Sequence, residues 1–485
     1  MSTQRIGLLL GPLLFLLLFV FLRPEGLPLA GTAVLATTAW MAVWWITEAI
    51  PIAATALLPM VLFPLTGVMP AGETTQAYGH YIVFLFLGGF LLAMAFERWN
   101  LHRRIALATI KMIGTDLRLI ILGAMVATAG LSMWISNTAT SVMMLPIAMA
   151  IVAQLKDDPS TDEDENATFG KALMLAIAYS ASIGGMGTLI GTPVNGVLVG
   201  QLEAIFGVEI SFLQWFSIGF PMVIVLLTIC WWYLTRIAFT FPSGRFAGGR
   251  AEIERLQREQ GPITWQEVLV LTVFGLTALA WIFRSSVLTA WFPGINDTVI
   301  AMLAALLMFL LPGGDGRGLL TWEEAVRLPW GVVLLLGGGF ALAAGFKAAE
   351  LDAFVAANVS VPEGIGLLVV VFVVVTAVNF LTEITSNVAT TSMLLPVLAA
   401  AALPLNIHPY ALMVPATLAA TCAFMLPVAT PPNAVVFGSG YLTIPDMVRA
   451  GFRMNVFSIF VISLACYLLL PVLWGFVAGE FPAWN

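Results

Sequence analysis

Two stretches of this chain are near copies of each other: residues 136–146 read SNTATSVMMLP and residues 386–396 read SNVATTSMLLP. Seven of the eleven positions are identical, at an offset of 250 in the numbering. The same offset relates GGFLLAMAF at 88–96 to GGFALAAGF at 338–346. An offset that is kept over two blocks indicates an internal repeat.

Each copy is followed by a second short motif, Thr-Pro-x-Asn, at 192–195 and again at 430–433, here at an offset of 238. Three blocks therefore recur in one order, which chance similarity between apolar segments does not explain. Proline removes a helical hydrogen bond and clashes with the preceding turn. The motif therefore predicts an interrupted helix in each half of the chain.

Composition places this repeat in a membrane. Of the 485 residues, 60% are hydrophobic and 10% are charged, and 20 basic against 27 acidic residues give a formal net charge of −7. Soluble proteins carry about 25% charged residues, so this chain cannot cover a water-facing surface. The fold class predicted is an all-α polytopic membrane protein. Nucleic-acid binding is excluded, because the chain has no basic face that could neutralise phosphates.

Uncharged windows of about 20 residues mark segments that can cross a bilayer as helices. The first lies between Arg5 and Arg23, and we interpret it as a retained span because it is longer than the apolar core of a signal peptide and lacks a cleavage site. Eleven transmembrane helices are predicted, at 6–22, 27–47, 51–67, 80–96, 172–201, 212–235, 267–283, 297–312, 329–346, 410–440 and 454–478.

Two further apolar windows do not fit a single helix. Residues 119–155 and 364–403 are each too long for one crossing, and each carries a Ser-Asn pair near its middle. We predict that both are re-entrant hairpins. Irregular backbone at membrane depth must be buried in protein or line a wet cavity, so the tips of both hairpins are expected inside the helix bundle.

Basic residues orient the chain. With a cytoplasmic N-terminus, 17 of the 20 fall on the cytoplasmic side and only Arg23, Arg284 and Lys347 fall outside, as the positive-inside rule requires. The C-terminus is then external, and the two hairpins enter from opposite sides. Inverted-topology repeats with a midplane site built from broken helices are a recurrent design of secondary transporters. The basic, amphipathic stretch 98–118 is predicted to lie in the cytoplasmic interface, and the polar stretches 157–166 and 243–261 to be solvated linkers.

Four non-helical points, two hairpin tips and two Thr-Pro-x-Asn breaks, can converge in such an arrangement. A helix begins with unpaired amides that favour an anion and ends with unpaired carbonyls. Asn, Ser and Thr oxygens add hard ligands for a small cation such as Na⁺, and none of these groups is charged. A bound anion would therefore need co-bound cations. Glu383 and Glu48 lie within or beside apolar windows and are functional candidates by default. We expect Glu383 to tune cation binding or to relay a proton, and Glu48 to end a helix.

No enzymatic activity is expected, since the sequence offers no nucleophile with its base and no metal cluster. The three cysteines and three histidines lie far apart and without metal-ligand spacing.

At these residues the sequence resembles the divalent-anion:sodium symporter family, whose members carry dicarboxylates such as succinate and malate, tricarboxylates such as citrate, or sulfate. The resemblance covers nearly the whole chain. It rests on the paired Ser-Asn blocks and on WWITEAIP at 44–51, GTLIGTPVN at 187–195 and ATCAFMLPVATPPNAVV at 420–436.

The resemblance implies a homodimer in a lipid bilayer, here the bacterial inner (plasma) membrane, and an elevator mechanism in which a transport domain moves against a fixed scaffold. The first half would consist of a scaffold segment with the interfacial helix (1–118) and a transport segment (119–238), and a cytoplasmic linker would follow (239–263). The second half would consist of a scaffold segment (264–363), a transport segment (364–451), and the last span with the C-terminus (452–485).

The resemblance also implies the site residues. Substrate carboxylates would meet residues at both tips and at the second break, namely Asn137, Thr138, Asn387, Val388, Thr430 and Pro431. Two sodium sites would be formed by Ser132, Ser136, Asn137 and Gly191 in the first half and by Thr382, Thr385, Asn387 and Ala429 in the second.

Two residues depart from the family pattern. Val388 stands where many dicarboxylate carriers have Thr, and Thr421 replaces the usual Ser. The predicted function is Na⁺-coupled symport of the C4-dicarboxylates succinate, malate and fumarate. The alternatives are a sodium-independent dicarboxylate exchanger, a citrate or sulfate carrier, and a proton-coupled variant that uses Glu383.

Overall fold

The computed structural model describes residues 3–114, 116–154, 165–239, 249–314, 316–358 and 365–482. Most of the stretch 157–166 and residues 243–248 of the second polar stretch, both predicted to be linkers, lie outside these residues. The described chain is almost entirely helical, and its one sheet is a two-stranded antiparallel hairpin of β1 (Pro312–Gly314) and β2 (Arg317–Gly318).

The helices of the first half follow in chain order, with π-helical turns at Leu17–Phe21 and Leu234–Ala238: α1 (Thr3–Leu16), α2 (Leu29–Thr47), α3 (Ile52–Thr55), α4 (Leu58–Thr66), α5 (Ala71–Tyr78), α6 (Tyr81–Arg98), α7 (Leu101–Ile113), α8 (Leu117–Ser132), α9 (Asn137–Ala153), α10 (Glu165–Gly185), α11 (Pro193–Phe206) and α12 (Phe212–Tyr233).

The second half continues in the same way, with a π-helical turn at Arg284–Leu288: α13 (Gly249–Glu259), α14 (Trp265–Phe283), α15 (Thr289–Trp291), α16 (Asp297–Leu310), α17 (Trp322–Ala325), α18 (Trp330–Ala348), α19 (Leu351–Asn358), α20 (Leu367–Leu381), α21 (Asn387–Ala402), α22 (Pro409–Ala420), α23 (Pro431–Phe437), α24 (Ile444–Leu468) and α25 (Leu470–Trp474).

The repeat predicted from the sequence is present in the backbone. The succession α6 to α12 recurs as α18 to α24, and each hairpin packs both of its arms on the following helix, α8 and α9 on α10, and α20 and α21 on α22. The corner after α6 and the corner after α18 use the left-handed residues Asn100 (φ 54°) and Glu350 (φ 53°), which are related by the same offset as the Ser-Asn blocks. Left-handed backbone is uncommon outside glycine, so its recurrence at equivalent positions reflects one shared unit.

The two halves interlock. Helix α11 packs against α21 and α22, and α23 packs against α9 and α10. The second half of each broken helix therefore lies against the hairpin of the opposite repeat. This exchange brings both hairpin tips and both breaks to one place.

Eight helical segments of the described chain are long and apolar enough to cross a membrane: Thr3–Phe21, Leu29–Thr47, Ala71–Arg98, Asn166–Gly185, Phe212–Ala238, Trp265–Trp291, Trp330–Ala348 and Ile444–Leu468. Three of the eleven predicted windows, 51–67, 297–312 and 410–440, contain shorter or broken helices instead. The count of eleven spans and the re-entry of the hairpins stay predictions.

Two predicted boundaries differ from the helices. The boundary at 118/119 falls inside α8, and the boundary at 451/452 falls inside α24. Helix α24 begins at Ile444, before the predicted window, because Thr443 and Asp446 form a capping box there. Arg449 and Arg453 therefore lie inside the helix.

The predicted interfacial stretch forms α7, and its basic side chains contact acidic residues rather than standing alone. Arg104 pairs with Glu267 of α14 at 2.8 Å, and Lys111 pairs with Glu254 of α13 at 3.4 Å. Helix α13, which belongs to the predicted linker, therefore lies along α7.

Candidate substrate and cation site

The first tip, defined as residues 133–136, separates α8 from α9. Ser136 caps α9, and its hydroxyl accepts a hydrogen bond from the Ala139 amide at 3.2 Å. The Asn137 side chain lies 2.7 Å from the Ser132 hydroxyl through its oxygen Oδ1, and the same hydroxyl lies 2.7 Å from the Ala181 carbonyl of α10. The interruption therefore lies at the residues that the sequence predicts.

The second tip, residues 383–386, repeats this geometry at the equivalent positions of the second half. The Thr382 hydroxyl lies 2.6 Å from Asn387 Oδ1 and 2.9 Å from the Ala420 carbonyl of α22. Thr385 donates its hydroxyl hydrogen to the Leu381 carbonyl at 2.8 Å. Each tip thus presents a hydroxyl and an asparagine oxygen as a pair.

Each hydroxyl of these pairs has two acceptors but only one hydrogen. When Ser132 donates to Asn137 Oδ1, one of the two lone pairs of that oxygen is used. When the hydrogen turns to the Ala181 carbonyl, both lone pairs of Asn137 Oδ1 are free, and Ser132 Oγ can face a cation beside it. The arrangement around Thr382 allows the same rotation, so both halves can offer two oxygen ligands without losing a hydrogen bond.

The first break, residues 186–192, and the second break, residues 421–430, are each held by an asparagine one turn into the following helix. Asn195 donates its amide hydrogens to the carbonyls of Gly185 at 3.2 Å and Thr188 at 2.7 Å. Asn433 donates to Ala423 at 3.2 Å and to Leu426 at 2.9 Å. Both asparagines are fully buried, so the Asn of the Thr-Pro-x-Asn motif binds carbonyls that the interruption leaves unpaired.

Both tips and both breaks line one cavity of about 1390 Å³. Ten of the twelve predicted site residues are on its wall: Ser136, Asn137, Thr138, Gly191, Thr385, Asn387, Val388, Ala429, Thr430 and Pro431. The other two, Ser132 and Thr382, contact Asn137 and Asn387 as described above.

The electrostatics of this wall come from helix ends. Four helices, α9, α11, α21 and α23, begin at the cavity, and none of the predicted site residues is charged. Helix N-termini carry partial positive charge and free amides, so the part of the wall that they form suits an anion. The wall also includes charged side chains, namely Glu48, Glu97, Arg98, Glu324 and Arg327.

These five charged residues are not among the predicted site residues. Glu48 is a functional candidate from the sequence, and the Glu97-Arg98 pair at the end of an apolar window is a visible signal. Arg98 pairs with Glu324 at 2.8 Å and also binds the carbonyls of Gly318 and Leu319. Glu48 ends α2 in a left-handed conformation (φ 47°), which confirms its predicted place.

Glu383, the first residue of the second tip, is buried, and it is not on the cavity wall. Its carboxylate accepts hydrogen bonds from three consecutive amides of the second break, Phe424 at 2.7 Å, Met425 at 3.0 Å and Leu426 at 3.2 Å. The Asn455 side chain of α24 donates a fourth at 2.7 Å. Glu383 therefore fastens the second tip to the second break and to α24, a role that no local pattern in the sequence indicates.

The first half fastens its tip in another way. Met133 occupies the position equivalent to Glu383, and its main-chain carbonyl accepts a hydrogen bond from the Thr188 hydroxyl of the first break. The two halves therefore share the fold of the site but not the contact that holds it.

These features define a class of protein: an all-helical polytopic membrane transporter with an internal repeat whose broken helices meet at a central cavity. Two solved transporters have a similar fold, MtrF of Neisseria gonorrhoeae (TM-score 0.60, 12% identity, 98% of this chain and 100% of that chain) and YdaH of Alcanivorax borkumensis (TM-score 0.58, 14% identity, 90% and 98%). At these identities the likeness concerns the fold alone.

Residues 3–477 match the family model of the sodium:sulfate symporter transmembrane region, and the chain belongs to this family, the divalent-anion:sodium symporters. Curated relatives named sodium-dependent dicarboxylate transporter SdcS are 47% identical in Staphylococcus saprophyticus (97% of this chain, 92% of the relative) and 46% identical in Staphylococcus aureus (98% and 92%). The chain is a transporter and not an enzyme.

Proposed function

We propose that this protein is a secondary active transporter that couples the entry of C4-dicarboxylates such as succinate, malate and fumarate to Na⁺. One observation carries the proposal: four helices begin at one cavity, the asparagines of the two hydroxyl–asparagine pairs line it, and none of the predicted site residues is charged. The names of the staphylococcal relatives, sodium-dependent dicarboxylate transporters, support it.

The lack of fixed charge is the physical reason to expect coupling. A dianion that contacts the predicted site residues meets partial charges from helix ends and polar side chains but no charged side chain, so Na⁺ ions bound beside it lower the free energy of the bound anion. We assign one sodium site to Ser132, Ser136, Asn137 and Gly191, and its repeat partner to Thr382, Thr385, Asn387 and Ala429. The dicarboxylate would then contact Asn137 and Thr138 at one end and Asn387, Val388, Thr430 and Pro431 at the other.

The mechanism that we propose is an elevator. The two hairpins and the two broken helices, α8 to α12 and α20 to α24, would form the transport domain, and α1 to α6, α14, α16 and α18 the scaffold. The protein would be a homodimer in the bacterial inner membrane, with a cytoplasmic N-terminus and an external C-terminus. In that orientation Arg98 and Arg327, which line the cavity, would lie on the cytoplasmic side.

Uptake of labelled succinate into proteoliposomes tests this function. We expect accumulation that requires an inward Na⁺ gradient and that is lost when K⁺ replaces Na⁺. Equal uptake driven only by internal succinate would refute symport and favour sodium-independent exchange.

A second candidate substrate is sulfate, which the description of the matching family model favours. Competition distinguishes the two. Excess unlabelled sulfate should leave succinate uptake nearly unchanged if a dicarboxylate is the substrate, whereas strong inhibition by sulfate, or by citrate, would move the assignment to that anion.

A further inference from the structure

The two tips differ in sequence, and one of the differences is at the second position, which is Trp134 in the first tip and Ile384 in the second. The Trp134 ring lies edge-on to Phe274, with 4.9 Å between centroids, and parallel to Trp281 within 8°, with 6.3 Å between centroids. Ile384 instead is 63% exposed and lines the cavity. One tip is seated on an aromatic face, and the other tip faces open space.

The face that receives Trp134 belongs to α14, and α14 has an equivalent in the first half. Helices α2 and α14 are both 19 residues long, and a single offset of 236 relates their first and their last residues. That offset places Trp45 where Trp281 stands. Both tryptophans are buried, and each indole donates a hydrogen bond at 3.0 Å to a main-chain carbonyl, that of Ile52 at the start of α3 or that of Asp297 at the start of α16.

Trp45 also lines the cavity that Ile384 faces. The molecule therefore contains two tip residues and two equivalent tryptophans. Trp134 and Trp281 are in contact, and Ile384 and Trp45 both line one cavity. In transporters with inverted repeats, access alternates as one bundle moves against the other around the site, and in the proposed elevator the two halves would exchange their conformations in this movement. The contact made by one half in this state is then made by the other half in the opposite state.

We propose that Trp134 and Ile384 are positioning residues that seat the transport domain alternately on Trp281 and on Trp45, and so fix the two end points of its movement. This inference rests on the proposed elevator function. Aromatic pairs in these geometries stabilise beyond the area that they bury. The seat of Trp134 on two aromatic rings is therefore stronger than a seat of Ile384 on Trp45, and the state with Trp134 seated is the favoured one in the absence of a gradient.

Distances between spin labels on the two domains test the proposal directly, in detergent and in nanodiscs. Leu276 on α14 and Phe460 on α24 are both well exposed and take the labels. Trp134→Ala should increase the ratio of the second distance population to the first by roughly tenfold. Adding Ile384→Ala to that variant should move the ratio back, because it weakens the competing seat. Trp232→Ala, which removes an exposed tryptophan of α12, is the matched control and should leave the ratio unchanged.

The outcomes separate clearly. An unchanged ratio in Trp134→Ala, or an Ile384→Ala effect in the same direction as Trp134→Ala, would overturn the proposal. If Trp134→Ala does not purify, two milder variants test the same contact. Phe274→Leu weakens it from the scaffold side and should shift the ratio in the direction expected for Trp134→Ala, and Trp134→Phe, which keeps an aromatic ring, should shift the ratio less. The spin-label distances report the position of the transport domain whatever anion is carried. A failure of sodium-driven succinate uptake would therefore refute the proposed function but would not test the role of Trp134 and Ile384.

Discussion

Replacing Glu383 with Gln gives the sharpest test of how the second half of the site is held. The carboxylate accepts hydrogen bonds from three main-chain amides and from Asn455, at 2.7 to 3.2 Å, in a place where the side chain is 3% exposed. Glutamine keeps the shape but has one acceptor oxygen. Its NH₂ group then faces amide hydrogens that the second carboxylate oxygen accepts in the parent protein.

The magnitude follows from these contacts. A hydrogen bond to a charged group contributes about 1.5–3 kcal/mol, and a buried donor left unpaired costs about 1–3 kcal/mol. The glutamine oxygen can replace Oε1, which accepts from Phe424, Met425 and Asn455, so only the Leu426 amide is left without an acceptor. Losing the charge on the remaining hydrogen bonds and stranding this one donor lowers the free energy of unfolding by roughly 3–5 kcal/mol. For a chain of this length the entropy of unfolding gives about 1 °C per kcal/mol, so the apparent Tm in detergent should fall by about 3–5 °C.

A second measurement links this change to ion binding. Glu383 connects the second break to the second tip, which carries Thr385 and adjoins Asn387. We expect Glu383→Gln, in the fraction that folds, to raise the Na⁺ concentration for half-maximal uptake more than it raises KM for succinate. Glu25→Gln, an exposed glutamate in the turn between α1 and α2, is the matched control.

An apparent Tm within about 1 °C of the parent would refute the reasoning. If Glu383→Gln kept its stability but lost a pH dependence of uptake, the carboxylate would relay protons rather than fasten the break. Asn455→Ala removes one donor only, and the smaller fall in Tm that we expect from it checks the order of the effects.

Three further changes test other parts of the molecule. Asn137→Ala and Asn387→Ala should each abolish sodium-driven uptake while the protein still elutes as a single species; normal uptake in either variant would remove that tip from the site. Val388→Thr adds a hydroxyl at the second tip and should lower KM for succinate about two- to tenfold, and an unchanged KM would show that position 388 does not contact the anion. A Cβ at Gly451 would overlap the main-chain carbonyl of Phe424 in the second break, so Gly451→Ala should lower the apparent Tm. The control Gly130→Ala, with nothing within 4 Å of its Cβ, should match or slightly exceed the parent.

The sequence predicts the interruptions of the helices well because their signals are local. Helices α9 and α21 begin at Asn137 and Asn387, and α11 and α23 begin at Pro193 and Pro431, as the Ser-Asn and Thr-Pro-x-Asn motifs indicate. A capping serine or a proline at the first helical position acts within one turn. The internal repeat adds that the four points belong to one architecture.

Contacts between distant parts of the chain cannot be predicted in the same way. Glu383 is recognisable as a candidate, but its partners are main-chain amides of a later segment, Phe424 to Leu426, and an amide leaves no mark in the sequence. Helix α24 begins before its apolar window. It includes Arg449 and Arg453, two charged residues at which a search for uncharged windows ends the predicted span. The ion pair between Arg104 and Glu267 likewise joins residues that hydropathy assigns to separate segments.

The paired acceptors of Ser132 and Thr382 bear on how the carrier unloads. In each half the hydroxyl can donate to an asparagine oxygen or to a main-chain carbonyl. At the proposed sodium sites, the form without a cation and the form with one would therefore have the same number of hydrogen bonds, and no donor would lose its acceptor when the ion departs. A carrier must release what it binds on every cycle. Because each hydroxyl can donate to its asparagine after the ion leaves, the unloaded form would keep its hydrogen bonds during the return step.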